Sequence, residues 1–180
     1  MAAHDDPRTL GRARLSFAKA SDIDEFAVML DRFERGELTP EEWRGFRLLR
    51  GTYGQRQPDD SHMMRIKMPQ GLVTADQLIA FADVADRYSR GFGHITTRQN
   101  VQFHFVKVHD AEPAMRRLAE AGLTSREACG NSVRNITACA FAGISPSEAF
   151  DVTPYSEALT RYFLRHPLSS SLPRKFKIGF

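Results

Sequence analysis

Apolar residues recur at helical spacing in the first fifty residues and predict two helices there. The first begins at Ser21 and can end at Gly36, because glycine commonly terminates a helix. The apolar residues on one face of this helix are Ile23, Phe26, Ala27, Leu30 and Phe33. The run Thr39-Pro40-Glu41-Glu42 predicts the second helix, since it combines an N-cap, a proline at the first position and a capping-box glutamate. Residues 1–20 lack any period and are expected to form a loose arm.

The pattern then changes to short strands that alternate with helices. Residues 51–61 are rich in Gly, Gln, Pro and Asp and predict a loop, after which residues 63–68 predict a strand. Thr74 and Gln77 form a second capping box that opens a helix. A further helix is predicted over 112–121, where a glycine follows its last residue.

Between these two helices, residues 94–108 alternate between apolar and polar side chains, as a strand with one buried face does. Val101, Phe103 and Phe105 are predicted on the buried face. If this strand is unbroken, its other face carries Thr96, Arg98, Asn100, Gln102 and His104.

Two strands that are each followed by a helix, without a long crossover connection, predict an α+β sandwich of ferredoxin-like type. This unit is placed at residues 51–123, after an N-terminal arm and helices at 1–50. Residues 124–180 differ, with a loop rich in Gly, Asn and Arg, a helix at about 154–165 and a strand-like run at 176–180. Because that run has no following turn, we expect the chain to be the N-terminal part of a longer protein.

Composition excludes several classes of protein. Hydrophobic residues make up 42% of the 180 residues, which is enough for a packed core and argues against disorder. The apolar stretches are short and interrupted by charges, and residues 1–14 have no apolar core, so neither a membrane span nor a secretory signal is expected. A cytoplasmic location is the resulting expectation. The net charge of +3 is modest, but the pI near 9.1 makes an anionic partner worth considering.

The cysteines and histidines indicate no metal site within this chain. Cys129 and Cys139 do not form a CxxC pair, and two thiolates cannot ligate a four-cysteine cluster. Both are expected to be ordinary reduced thiols, since a disulfide is rare in the cytoplasm. The six histidines show no HExxH spacing, and no catalytic triad is visible.

Cations at alternating strand positions are the clearest chemical signal. Arg65 and Lys67 are two residues apart, so they are predicted to share one face of the first strand, and Lys175 and Lys177 repeat this spacing. Arg134 lies in a loop of small residues, where backbone N–H groups and a guanidinium can meet one oxyanion. Two interpretations stay open: a solvated sheet face with surface contacts, or a platform that binds a polyanion.

Four stretches, in order, resemble consecutive motifs of the siroheme-dependent nitrite/sulfite reductase haemoprotein family. They are Met63–Gly71, Gly93–Phe103, Gly130–Ile136 and Leu172–Lys177. The resemblance implies that residues 51–123 are the ferredoxin-like half-domain of this family. It implies that residues 124–180 are the start, still incomplete, of its siroheme/4Fe-4S domain.

The resemblance also implies roles for individual residues. The cations that match the active site of the family, where they surround sulfite or nitrite, are Arg65, Arg134, Lys175 and Lys177. The residues implied to bind the cofactor are Thr96, Arg98, Asn100, Gln102, His104, Arg65, Lys67, Arg134 and Arg174.

The family reduces sulfite to sulfide or nitrite to ammonia in six electrons, with siroheme and a [4Fe-4S] cluster as cofactors and ferredoxin or a flavoprotein reductase as donor. Its cluster cysteines lie in a C-terminal half, so this chain alone is expected to be inactive without that half. Lys67 and His94 stand where some sulfite-type members carry arginine. The choice between sulfite and nitrite stays open, with the four cations favouring sulfite slightly.

Two other functions are compatible with a ferredoxin-like sheet. An RNA-recognition-like module could stack bases on Phe103 and Phe105, but these side chains are expected to face the helices and the RNP1 motif is missing. We therefore expect no nucleic-acid partner. A non-catalytic siroheme carrier is the second alternative.

Overall fold

The computed structural model describes residues 16–56, 60–173 and 175–180. The predicted arm up to residue 15 and the predicted cofactor contact of Arg174 therefore lie outside the described residues. The helices are α1 (Ala20–Glu34), α2 (Pro40–Leu49), α3 (Ala75–Tyr88), α4 (Val108–Glu120) and α5 (Thr153–Phe163). The strands are β1 (Thr52–Gly54), β2 (Ser61–Ile66), β3 (His94–Ile95) and β4 (Val101–Lys107). None of the helices in the described ranges has the length and apolar character that crossing a membrane requires.

The strands form one antiparallel sheet in the order β1-β2-β4-β3, so the predicted α+β class is confirmed. Helices α3 and α4 cover one face of this sheet. The core between them contains Met64 of β2, Phe103 of β4, Val84 of α3 and Leu118 of α4, all of them almost fully buried. We call the other face, on which Arg65 of β2 lies opposite Gln102 of β4, the open face.

Helices α1 and α2 form where the sequence predicts them. The backbone N–H of Thr39 donates to Glu42 Oε2 at 2.8 Å, and the N–H of Glu42 donates to Thr39 Oγ1 at 3.2 Å, which completes the predicted capping box. The two helices pack through aromatic rings, with Trp43 stacked on Phe33 at 5.4 Å between centroids. Phe26 of α1 is fully buried beneath them.

The loop predicted at residues 51–61 contains the short edge strand β1. Its residues pair with β2, and Thr52, which lies opposite Met64, is fully buried. A three-residue strand is too short to show an alternating pattern. Backbone hydrogen bonds to β2 hold β1 in place, and such bonds cannot be predicted from the side chains of three residues.

The unbroken strand predicted over residues 94–108 is wrong. The chain reverses between Ile95 and Val101, so β3 and β4 form a hairpin. The N–H of Thr96 donates to the carbonyl oxygen of Asn100 at 2.9 Å across this turn, where Gln99 has a positive φ of 52°. The residues between Ile95 and Val101 therefore belong to no strand.

A β-bulge also breaks the predicted alternation within β4. Met64 lies opposite Phe103 and His62 lies opposite Val106, so β4 carries one extra residue in this interval. Phe105 has a φ of 62° and is only partly buried, whereas Val106 is fully buried. The predicted buried face is therefore correct for Phe103 and wrong for Phe105, because the extra residue shifts the alternation by one.

The predicted helix near residue 154 is α5, whereas the strand-like run at 176–180 does not become a full strand. It runs parallel to residues 134–137 and makes one isolated bridge, between Thr137 and Gly179. The N–H of Arg134 donates to the carbonyl oxygen of Phe176 at 3.0 Å, and that of Phe180 donates to Thr137 at 2.9 Å. These bonds hold the end of the chain beside the loop that carries Arg134.

Candidate anion and cofactor site

Arg65 and Gln102 occupy the centre of the open sheet face. They lie directly opposite each other in the pairing of β2 with β4. A guanidinium only donates hydrogen bonds, so the Gln102 amide must turn its oxygen toward Arg65, where it accepts from Nε at 3.0 Å. His104 lies two residues further along β4. Burial lowers the pKa of its imidazole, and the nearby charges of His94 and Arg65 lower it further. The open face thus presents a cation with polar neighbours.

A cavity of about 660 Å³ opens beside Arg65. Three of the four cations implied to form the active site line it, namely Arg65, Arg134 and Lys175. They come from β2, from the loop after residue 129 and from the last residues of the chain. Lys177, the fourth, is exposed and is not among the lining residues. No carboxylate lines the cavity within the described part of the chain.

Two further cations line this cavity that sequence reasoning missed. Arg44 and Arg47 are three residues apart on α2, so they lie on the same side of that helix. Arg47 is partly buried and donates from Nη1 to the carbonyl oxygen of Thr52 at 3.2 Å. Burial, followed by the charge of Arg44, lowers the pKa of Arg47. Their spacing alone reads as a solvated helix face, and only the packing of α2 beside β1 brings them to Arg65.

The loop that carries Arg134 is held by its own backbone. Arg134 donates from Nη1 to the carbonyl oxygen of Ala128 at 3.3 Å. Ser132 Oγ donates to the carbonyl oxygens of Glu127 and Cys129, both at 2.9 Å. Cys129 lines the cavity as a buried free thiol, and burial raises its pKa although Arg65 and Arg134 act in the opposite direction. Arg134 is therefore presented to the cavity by a short, internally bonded loop.

Lys67, two residues after Arg65, is buried and does not line the cavity. Strand β2 ends at Ile66, and the backbone of Lys67 bridges to Thr124 instead. The side chain is 4% exposed, and Nζ donates to the carbonyl oxygen of Val133 at 3.1 Å. Burial lowers its pKa to about 8, although the nearby carboxylate of Glu127 acts to raise it. Lys67 thus supports the Arg134 loop from behind.

The buried ammonium of Lys67 predicts a specific pH dependence of stability. Its pKa falls from 10.5 in the unfolded chain to about 8 in the folded one, so between these values the unfolded chain binds more protons and stability rises with pH. The free energy of unfolding is expected to increase by about 3 kcal/mol over this interval, relative to the Lys67→Met variant. Urea unfolding of both proteins at pH 7.5, 9 and 10.5 measures the difference. Parallel pH curves for the two proteins would contradict the assignment.

The residues of the hairpin turn mostly bond to nearby backbone. Arg98 donates from Nη2 to the carbonyl oxygens of Asn135 and of Ile178, the latter at 2.9 Å, and burial followed by Arg134 lowers its pKa. Asn100 is 2% exposed and accepts from the hydroxyl of Thr96. The unbroken strand on which the predicted common face of Thr96, Arg98, Asn100, Gln102 and His104 was conditional does not form. Gln102 and His104 belong to β4, and Gln102 lies opposite Arg65.

Asn135 joins the three segments behind the cavity, a role that the sequence did not reveal. It is 2% exposed, and its Oδ1 accepts from the N–H of Met68 at 2.9 Å. Its Nδ2 donates to the carbonyl oxygens of Met68, Arg98 and Gln99 at 2.7, 2.9 and 3.1 Å. One side chain thus ties the end of β2 and the hairpin turn to the residue that follows Arg134.

Two family models match this chain. The nitrite/sulfite reductase ferredoxin-like half domain matches residues 53–121, and the nitrite and sulphite reductase 4Fe-4S domain matches residues 129–180. Together they cover more than half of the chain. The first spans the sheet with α3 and α4, and the second spans the Arg134 loop and α5.

Individual relatives agree with these matches. The chain is 37% identical to the ferredoxin–nitrite reductase of Leptolyngbya laminosa over 122 residues, which are 65% of this chain and 24% of the relative. It is 32% identical to the chloroplastic ferredoxin–nitrite reductase of Oryza sativa subsp. japonica over 182 residues, covering 94% of this chain and 30% of the relative. The chain therefore spans less than a third of the length of these proteins.

Solved structures show the same fold. The NirA protein of Mycobacterium tuberculosis superposes with a TM-score of 0.73 at 28% identity, over 88% of this chain and 34% of that protein. Dissimilatory sulfite reductase I superposes with a TM-score of 0.58 at 16% identity, which bears on the fold alone. The sheet, the two domain matches and the relatives agree, and the chain belongs to the siroheme nitrite/sulfite reductase family, as its four sequence motifs predict.

Proposed function

We propose that this chain is the N-terminal part of a siroheme/[4Fe-4S] reductase that converts sulfite to sulfide or nitrite to ammonia. The observation that carries the proposal is the convergence of Arg65, Arg134 and Lys175 on one cavity. These residues come from segments far apart in sequence, and the resemblance implies an active-site role for each of them. A cavity lined by cations without a carboxylate is suited to an anion.

The donor set fits siroheme, whose eight carboxylates need cations and hydrogen-bond donors around them. Five cations line the cavity: Arg44, Arg47, Arg65, Arg134 and Lys175. Gln102 and His104 add polar groups beside them on the open face. The tetrapyrrole supplies the iron at which the oxyanion is reduced. The role of Arg65, Arg134, Lys175 and Lys177 is to hold the oxyanion, balance its charge and orient donors toward its oxygens.

The [4Fe-4S] cluster has no ligand set in the described part of this chain. No group of three or more His, Cys, Asp or Glu side chains is arranged there to hold a metal. Cys129 is buried and Cys139 is exposed, and each is a free thiol. We place the cluster cysteines in a C-terminal half that this sequence does not include, in keeping with relatives of which the match covers 24% and 30%.

The donor and the domain division belong to the same proposal. Relatives of this chain are named ferredoxin-dependent nitrite and sulfite reductases, which supports ferredoxin as electron donor and either oxyanion as substrate. A flavoprotein reductase is the alternative donor. The division into an N-terminal arm with helices at 1–50, a half-domain at 51–123 and the start of the siroheme domain at 124–180 places the cavity between all three parts. The proposed location is the cytoplasm.

Siroheme binding tests the proposal directly. The chain is titrated with siroheme, and the change in the Soret band gives the dissociation constant. Replacing Arg65 with glutamine is expected to weaken binding at least tenfold, because a hydrogen bond to a charged group contributes about 1.5–3 kcal/mol.

Arg87→Gln is the matched control, since Arg87 is exposed on α3 and its loss changes the net charge equally. The control variant should bind siroheme as the unmodified chain does. Equal affinities of the two variants would mean that Arg65 does not contact the cofactor, and no Soret change with the unmodified chain would overturn the siroheme assignment.

A further inference from the structure

Two histidines lie side by side on the open face of the sheet. His94 belongs to β3 and His104 to β4, and His94 Nδ1 lies 3.4 Å from His104 Nε2. Their rings are inclined by only 25°, with centroids 5.6 Å apart, and Phe92 also stacks on His104, at 6.4 Å. The remaining ring nitrogen of His104, Nδ1, faces the side chain of Gln55 at 3.2 Å. Both ring nitrogens of His104 therefore have a neighbour.

The orientation of the Gln55 amide follows from its other contact. The backbone N–H of Phe105 donates to Gln55 Oε1 at 2.7 Å. A backbone N–H can only donate, so the amide oxygen must face Phe105 and the amide nitrogen must face His104. An amide nitrogen is in turn only a donor, which means that His104 Nδ1 accepts and carries no proton. In its neutral form His104 therefore carries its proton on Nε2, directed at His94.

This arrangement depends on two irregular features of the backbone. The bulge in β4 removes Phe105 from regular pairing, which leaves its N–H available to a side chain. Gln55 follows directly after β1, and its own N–H donates to the carbonyl oxygen of Ser61 at 2.8 Å. Strand β1 thus places Gln55 beside the bulge, where its side chain contacts both Phe105 and His104.

The charges around His104 act in the same direction as the hydrogen bonds. Burial lowers its pKa, and the nearby titratable and charged groups, His94 on β3 and Arg65 on β2, lower it further. A proton on Nδ1 would also point at the amide N–H groups of Gln55. The neutral imidazole is therefore the favoured form, and the cations of the site remain arginine and lysine.

A metal ion bound by the two histidines is the main rival interpretation. Two imidazole nitrogens on one tetrahedral zinc are about 3.4 Å apart, given Zn–N bonds of about 2.0–2.1 Å, so the observed separation alone would fit. A metal-bound Nε2, however, needs its proton on Nδ1, where an acceptor normally holds it. Gln55 presents a donor there, which opposes metal binding.

We propose that Gln55 is a positioning residue that holds His104 as a neutral hydrogen-bond donor with its proton on Nε2. The role of this donor in cofactor binding rests on the proposed function and extends it. Beside a polycarboxylate cofactor, a neutral His104 can donate its Nε2 proton to a cofactor oxygen in place of His94, without adding a charge to the five cations that line the cavity. Gln55 acts through His104 and needs no contact with cofactor or substrate.

The tautomer can be measured in the cofactor-free chain. Long-range ¹H–¹⁵N correlation spectra of ¹⁵N-histidine-labelled protein distinguish a protonated from an unprotonated ring nitrogen. The expected result for the unmodified chain is an unprotonated Nδ1 and a protonated Nε2 on His104. A proton on Nδ1 overturns the proposal without the need for any variant.

Gln55→Glu is the decisive variant, because a carboxylate accepts from both Phe105 and His104. It should move the neutral proton to Nδ1 and raise the pKa of His104 by at least about one unit. Gln55→Leu is the control: it removes the amide without supplying an acceptor, so it should give a mixture of tautomers and no rise in pKa. Backbone amide spectra verify that each variant is folded.

An unchanged tautomer and pKa in Gln55→Glu would overturn the proposal. An equal rise in pKa in Gln55→Leu would also overturn it, since the effect would then come from the loss of the amide alone. These readouts need no siroheme. Failure of the chain to bind siroheme would therefore contradict the proposed function and leave the tautomer assignment intact. Siroheme binding together with a proton on Nδ1 of His104 would contradict the tautomer assignment and leave the proposed function intact.

Discussion

Replacing Arg134 with alanine is expected to weaken oxyanion binding or turnover at least tenfold, equivalent to about 1.4 kcal/mol. Arg134 lines the cavity together with Arg65 and Lys175, and its loop is fixed by hydrogen bonds from Ser132 and Lys67. A guanidinium held in this way needs little reorganisation to meet an anion, so its loss removes a preorganised charge-assisted hydrogen bond. The measurement is sulfite and nitrite binding to the siroheme-loaded chain, together with steady-state reduction by the full-length protein.

Arg134→Lys separates charge from geometry. Lysine keeps the positive charge but lacks the planar fork that meets two oxygens of one anion. We expect it to recover part of the affinity, and to recover less for sulfite, which offers three oxygens, than for nitrite, which offers two. Affinity and turnover in Arg134→Ala equal to those of the unmodified protein would remove Arg134 from the site.

Local signals along the chain predicted the helices well. The capping boxes at Thr39 and Thr74 form as expected, because each depends on residues only three positions apart. The hairpin at residues 94–107 was missed because its turn has no glycine, proline or Asn-Gly signal, and Gln99 adopts the positive φ instead. The bulge at Phe105 was missed because the extra residue is itself apolar and continues the alternation.

The cavity depended on tertiary structure that no local pattern encodes. The resemblance named Arg65, Arg134 and Lys175 because their motifs are recognisable, and the structure brings them together. It could not name Arg44 and Arg47, whose spacing on α2 is that of any solvated helix face. Strand periodicity also gave no sign that Lys67 is buried. Its ammonium donates to the carbonyl oxygen of Val133 and does not line the cavity.

The role of Asn135 in stability also could not be predicted from the sequence. In sequence it is one polar residue in a loop of polar residues, and its chemistry gives no sign of burial. In the structure its amide contacts the backbone of Met68, Arg98 and Gln99 at once. Those contacts lie 36 to 67 residues away along the chain, so only the folded arrangement reveals that this side chain joins the two matched domains.

The Asn135→Ala variant is expected to lose about 3 kcal/mol or more of unfolding free energy. The change leaves the buried N–H of Met68 without its acceptor and removes the side-chain donor from the carbonyl oxygens of Arg98 and Gln99, and one buried unsatisfied group costs about 1–3 kcal/mol. Urea unfolding followed by circular dichroism measures this loss. Asn131→Ala is the matched control, since Asn131 is exposed four residues earlier in the same loop and should change stability by less than about 0.5 kcal/mol.

The same variant should also affect the anion site, because Asn135 follows Arg134 directly and ties that loop to β2 and to the hairpin turn. With the tie removed, the loop gains conformations in which the guanidinium points away from the cavity, so siroheme and oxyanion binding should weaken together in the fraction that remains folded. Conditions well below the unfolding midpoint keep that fraction near unity, which separates misplacement of Arg134 from simple unfolding. A large loss of stability with unchanged anion affinity would show that Asn135 supports the fold alone and that the Arg134 loop holds its position without it.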